Sequence, residues 1–189
     1  MSIKSILRTV RSWIGSTQHP LETPIEDVSV DPAEAKALAE AAPDEQITKE
    51  RLMNEDELVT YPPLHHLDLD EQPQYLLSGT QLWMGESIGI KADEVAHSRI
   101  LVFITDQRVL LIVGKRTDDS VWQIPFDGID HATIKYSDRE AYFLVEAEYR
   151  GTEQTFFVKL IPGVDDAKYR EIVRYVNDRS PGPPPSSDT

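Results

Sequence analysis

Residues 99–114 read RILVFITDQRVLLIVG: two β-branched apolar runs separated by the polar break Thr105-Asp106-Gln107. Alternation places Ile100, Val102 and Ile104 on one face of the first run, with Leu101 and Phe103 on the other. Val109, Leu111 and Val113 oppose Leu110 and Ile112 in the second. The pattern predicts a hairpin whose two faces are both covered, because each alternation class is apolar. A two-stranded ribbon cannot bury itself, so the rest of the chain has to supply a second layer.

The 189-residue chain has no cysteine, a net charge of -14 and a hydrophobic content of 40%. That length fits one compact domain with extensions. Without cysteine there is no disulfide framework, thiol nucleophile or thiolate metal site, a composition that suits the cytoplasm. The charge is uneven: residues 1–30 are neutral, 31–72 carry 12 acids against 3 bases, and 73–179 carry 17 against 13. An acidic surface without a basic stripe repels phosphates and argues against nucleic acid as a partner. A salt-loving source also fits, although its excess charge should coat the folded domain and not chiefly a connector.

Residues 1–16 form the first predicted unit, a basic amphipathic helix. Ile3, Ile6, Leu7, Val10, Trp13 and Ile14 recur at helical spacing, with Lys4, Arg8 and Arg11 on the other side. The stretch is too short to span a bilayer and lacks the continuous apolar run of a signal peptide. Two readings compete. The apolar side enters a headgroup boundary while the cations meet anionic lipid, or it packs on the domain's own sheet or on a partner. Either surface would stabilise a helix that is marginal alone.

Residues 17–73 read as an acidic linker with two weak helices. Asp31 and Pro32 start the first at N-cap and first helical position, and Pro43 stops it. The second, Glu45 to Leu58, has a thin stripe of Ile47, Leu52 and Leu58, so a weakly packed spacer or partner-docking arm is expected. His65 and His66 adjoin carboxylates, but neighbouring residues diverge in both helix and strand and make no chelating pair. No metal or other cofactor is expected.

From Tyr75 the chain reads as successive strands: Leu82–Met84, the central hairpin, Val121–Pro125, Ile129–Tyr136, and a second hairpin of Ala141–Tyr149 with Gln154–Ile161. Between the first strand and the central hairpin, Gly85 to His97 is expected to be a polar connection without phosphate-loop spacing. After Pro162-Gly163, Asp165 is the predicted N-cap of a helix whose stripe is Tyr169, Ile172, Val173 and Val176. Pro and Ser in residues 180–189 predict a disordered tail. The fold class is mainly β with helices (α+β): a seven-stranded sandwich or partly open barrel capped by a C-terminal helix.

The stretch Phe103 to Leu111, FITDQRVLL, resembles the "LTDRRLLL" strand pair of prokaryotic pleckstrin-homology-like (PH-like) domains of the YokE type. The Leu76-Leu77-Ser78-Gly79 opening, Trp122 to Ile129 and the terminal helix agree in order, so the resemblance covers residues 74–179. It implies a binding or adaptor module, not an enzyme. In relatives with inositol-phosphate sites, basic residues flank the loop between the first two strands. The corresponding cations here are Lys91 and Arg99, with Lys115 and Arg116 in the next turn but one, a candidate anionic-ligand patch opposed by Asp93, Glu94, Asp118 and Asp119.

No catalytic motif is present: there is neither G-x-S-x-G nor H-E-x-x-H, and acid pairs are too numerous in this chain to single one out. The expectation is a non-enzymatic, peripherally membrane-associated PH-like protein at the inner face of the cell membrane. Residues 2–14 make the lipid contact, and a protein partner or a second copy binds elsewhere. The alternative is a soluble PH-like protein-interaction or oligomerisation module whose first helix docks on its own sheet, over the second apolar face of the Arg99–Gly114 hairpin, or on a partner.

Overall fold

In the computed structural model, which describes residues 30–85, 93–114, 118–137 and 140–181, the two apolar runs pair antiparallel as neighbouring strands. In chain order the strands are β1 (Pro73–Gly85), β2 (Asp93–Thr105), β3 (Arg108–Gly114), β4 (Asp119–Pro125), β5 (Ile129–Ser137), β6 (Glu140–Tyr149) and β7 (Thr152–Leu160). They form one seven-stranded antiparallel sheet in the order β4-β3-β2-β1-β7-β6-β5. The central hairpin runs from Ile100 opposite Val113 to Ile104 opposite Val109. Its turn is tightened by the buried Thr105 hydroxyl, which accepts the Gln107 and Arg108 amides at 3.1 and 3.0 Å.

Strand β1 starts at Pro73 and is longer than the Leu82–Met84 segment read from sequence, while β2 begins at Asp93, inside the predicted polar connection. The long β1 belongs to both halves of the sheet, pairing with β2 along its length and with β7 from Gly79 onward. A bulge between Gly79 and Gln81 interrupts both ladders there, and bulges bend the strand that carries them. Gly79 is required by close approach: an added Cβ would lie 2.5 Å from Val158 Cγ1 and 2.8 Å from the Lys159 carbonyl.

Both faces of the central hairpin are buried, each in a different core. Ile100, Val102, Ile104, Val109, Leu111 and Val113 face the interior between the two halves of the sheet. Leu101, Phe103, Leu110 and Ile112 face outward and meet Ala35, Ile47, Leu52, Val59, Leu64 and Leu67. The segment expected to be a weakly packed arm is thus the second layer: Ala35, Leu52 and Leu64 are 0% exposed. Its first helix, α1 (Pro32–Ala41), starts as read, with the Asp31 carboxylate accepting the Ala33 amide.

The second predicted helix shrinks to one turn, α2 (Lys49–Leu52), capped by Thr48. Asn54 and Glu57 have φ of 59° and 52°, a left-handed backbone that a helix over Glu45–Leu58 could not accommodate. The Asn54 side chain clamps this turn by donating to the Val59 carbonyl and accepting its amide. A 3-10 turn at Pro63–His66 then leads toward β1.

The inner core is closed by helix α3 (Asp166–Asn177), which buries Tyr169, Ile172 and Val176. Asp165 caps it by accepting the Lys168 amide at 2.7 Å, as its position in the sequence implies. Asn177 donates to the Ala132 carbonyl and accepts the Ala132 amide, so the helix takes the place of a neighbouring strand on the edge of β5.

Candidate functional site

The membrane-contact residues Ile3, Lys4, Ile6, Leu7, Arg8, Val10, Arg11, Trp13 and Ile14 lie outside the described residues, as do Lys91, Lys115 and Arg116 of the anionic-ligand patch. Arg99 is described. It is exposed on β2 and donates to the Glu57 carbonyl at 3.3 Å, a contact with the second layer.

Sequence reasoning missed three carboxylates that fasten residues 30–72 to the strands and C-terminal helix. Glu71, 1% exposed, accepts a bidentate pair from Arg108, Nε to Oε1 at 2.9 Å and Nη2 to Oε2 at 2.6 Å, and the Thr105 hydroxyl at 2.7 Å. The same guanidinium reaches Asp68, the His66 carbonyl and the Gln123 side chain. Asp44, 1% exposed, accepts the Gln46 and Leu76 amides at 2.9 Å each and the Lys168 ammonium from α3. It therefore ties the outer layer to β1 and to the closing helix.

The third tie comes from the sheet. Asp119 at the start of β4 has a fully buried side chain and accepts the Thr60 and Tyr61 amides at 2.8 Å each, with His66 Nε2 3.4 Å from Oδ2. Burial pushes this carboxyl up, but the His66 contact and the two amides outweigh burial and hold it below its usual 3.8. Thus His66 serves the latch between layers. Among the described residues no group of three or more His, Asp or Glu could hold a metal. On the inner side, Tyr75 donates to Glu171 at 2.8 Å; burial, then this bond, pushes its hydroxyl pKa up to about 12.

A different surface occupies the outside of β1, β7, β6 and β5. Register places Trp83, Phe157, Leu144 and Thr133 in one row across the four strands. Tyr142 adjoins it, its ring 6.2 Å from that of Trp83. Beside the row run Thr155 and Glu146, then the directly opposed Glu148 and Glu153. Trp83, Phe157, Tyr142 and Thr133 are half-buried, whereas Leu144 and Thr155 are 1% and 3% exposed. Trp83, Phe157 and Leu144 belong to neither hydrophobic core described above.

No known family model matches the chain, and no curated protein is significantly similar to it. Among the described residues no helix is long and apolar enough to cross a membrane. The groups buried at the layer boundary form ion pairs and amide contacts with one another; what the arrangement does chemically is hold two layers together. The half-buried aromatic row lies apart from this boundary and outside both cores.

Proposed function

We propose that the chain is a non-enzymatic PH-like binding module, held at anionic membrane surfaces on the cytoplasmic side by residues 2–14. The single observation carrying this reading is the occupancy of the outer hairpin face. In its own-sheet form the soluble alternative gives that face to the first helix, but Ala35, Ile47, Leu52, Leu64 and Leu67 already fill it. The basic amphipathic stretch therefore needs another apolar surface, and its three cations select an anionic one. The strand order and the closing helix support the PH-like part of the reading, in agreement with the motif around Thr105 and Arg108. A net charge of -9 over residues 31–72 would be repelled by the same lipid surface, leaving the folded body free to engage a partner protein or a second copy.

Vesicle co-sedimentation of the intact chain and of one lacking residues 1–16 tests the proposal. Binding by the intact chain alone, stronger on anionic than on neutral vesicles and weakened by salt, is expected. Equal binding by both chains, or by neither, overturns it.

A further inference from the structure

The outer row Trp83, Phe157, Leu144 and Thr133 is only partly covered: Trp83, Phe157 and Thr133 are half-buried. Leu144, in the middle strands of the row, is 1% exposed although neither described core contains it. The adjoining rim is acidic in a costly way: Glu148 stands directly opposite Glu153, with Glu146 beside them on the same face. Like charges opposed across a ladder are destabilising unless a cation comes near. The described ion pairs on β6 and β7 include only Lys159 with Glu140 at 2.6 Å, and none of the three rim carboxylates is in a described ion pair; the nearest cation in sequence, Arg150 in the turn, lies over the Tyr149 ring.

An occupant should therefore present an apolar stripe with several cations along one flank. Residues 2–14 do: Ile3, Ile6, Leu7, Val10, Trp13 and Ile14 form the stripe, and Lys4, Arg8 and Arg11, off the stripe, cluster on the side nearer its Leu7 edge. The segment can reach the face. Described structure begins at Val30, which packs in the outer core, and residues 15–29 can extend about 50 Å, more than the roughly 40 Å breadth of a domain this size.

We propose that the outer face of β1, β7, β6 and β5 is the seat of the chain's own residues 2–14 in the absence of a membrane, with the Glu146, Glu148 and Glu153 rim meeting Lys4, Arg8 and Arg11. Sheet and lipid then compete for one helix, so membrane binding is self-limited. The competition rests on the membrane reading above; the seat itself does not.

The absence of cysteine permits a direct test in the full-length chain. A single nitroxide at Ser5→Cys, off the apolar stripe, is placed on isotope-labelled protein. It should broaden the amide signals of Thr133, Leu144 and Phe157 more than those of Leu101, Phe103, Leu110 and Ile112 beneath the other layer. The exposed double change Glu148→Lys/Glu153→Lys, which leaves both cores intact, should weaken that broadening. It should also tighten binding to phosphatidylglycerol-containing vesicles by about threefold, because less of the helix is sequestered.

Uniform or absent broadening at the three residues overturns the seat, whether or not vesicles bind. Broadening that arises only when spin-labelled chain is mixed with separate isotope-labelled chain also overturns it, because the occupant is then a second copy. Selective broadening without vesicle binding upholds the seat and overturns the membrane reading alone.

Discussion

At the residue scale, buried carboxylates do structural work that the net charge conceals. Glu71 and Arg108 are both almost out of solvent, so neither tolerates the loss of the other. Glu71→Ala should lower unfolding free energy by about 3 kcal/mol, because it removes the bidentate partner of a largely buried guanidinium and leaves it only the half-exposed Asp68 as counter-ion, and the urea midpoint should fall accordingly. Replacing both partners with apolar residues should recover much of the loss, whereas additive losses would contradict a coupled pair. Asp119 makes a pH-dependent contribution. Its folded-state pKa is depressed, so its stabilisation is complete above the ordinary carboxylate value of 3.8 and is lost as pH falls through the lower folded value. Asp119→Asn should accordingly be less stable than the natural chain near neutrality, and the gap should narrow below about pH 4 in urea titrations.

These residues also mark the limit of what sequence can reveal. Asp31 and Asp165 were legible as caps because capping is local, fixed by the next few residues. Glu71 and Asp44 lie in the most acidic stretch of the chain, where nothing local distinguishes a buried acid from a solvated one. Their partners stand 37 and 124 positions away. The seat row was hidden for a related reason: Trp83, Leu144 and Phe157 come together only through the register of three strands.

At the scale of elements, the central hairpin was readable because both of its alternation classes are apolar, and each proves to face its own core. The second layer was obscure because its apolar residues follow no helical period. Ile47, Leu52, Val59, Leu64 and Leu67 come from a loop, one helical turn, a left-handed bend and a 3-10 turn, and the sheet face they cover gives them a common direction. This layer approaches the strands closely at Gly114, where an added Cβ would stand 2.9 Å from both the Leu58 carbonyl and Val59 Cα. Gly114→Ala should push Leu58–Val59 off the end of β3, at a cost of about 1–3 kcal/mol. Limited proteolysis should then cut within residues 50–60 faster than in the natural chain; unchanged cleavage would mean that the contact does not hold the layer.

At the scale of the molecule, charge and packing divide the chain differently. Charge counting separates an acidic connector from a strand-rich domain at residue 73, whereas packing unites residues 30–72 with the sheet across a continuous apolar face. The functional proposal depends on that union, because it is what denies the hairpin face to the N-terminal segment. Hydrogen exchange of the intact chain addresses it directly. If residues 30–72 are the second layer of the fold, the amides of Leu52, Met53 and Val59 should exchange together with those of β2 and β3, at rates set by global unfolding. If those amides exchange orders of magnitude faster while β2 and β3 stay protected, the layer opens by itself, the outer hairpin face is available to residues 2–14, and the account fails.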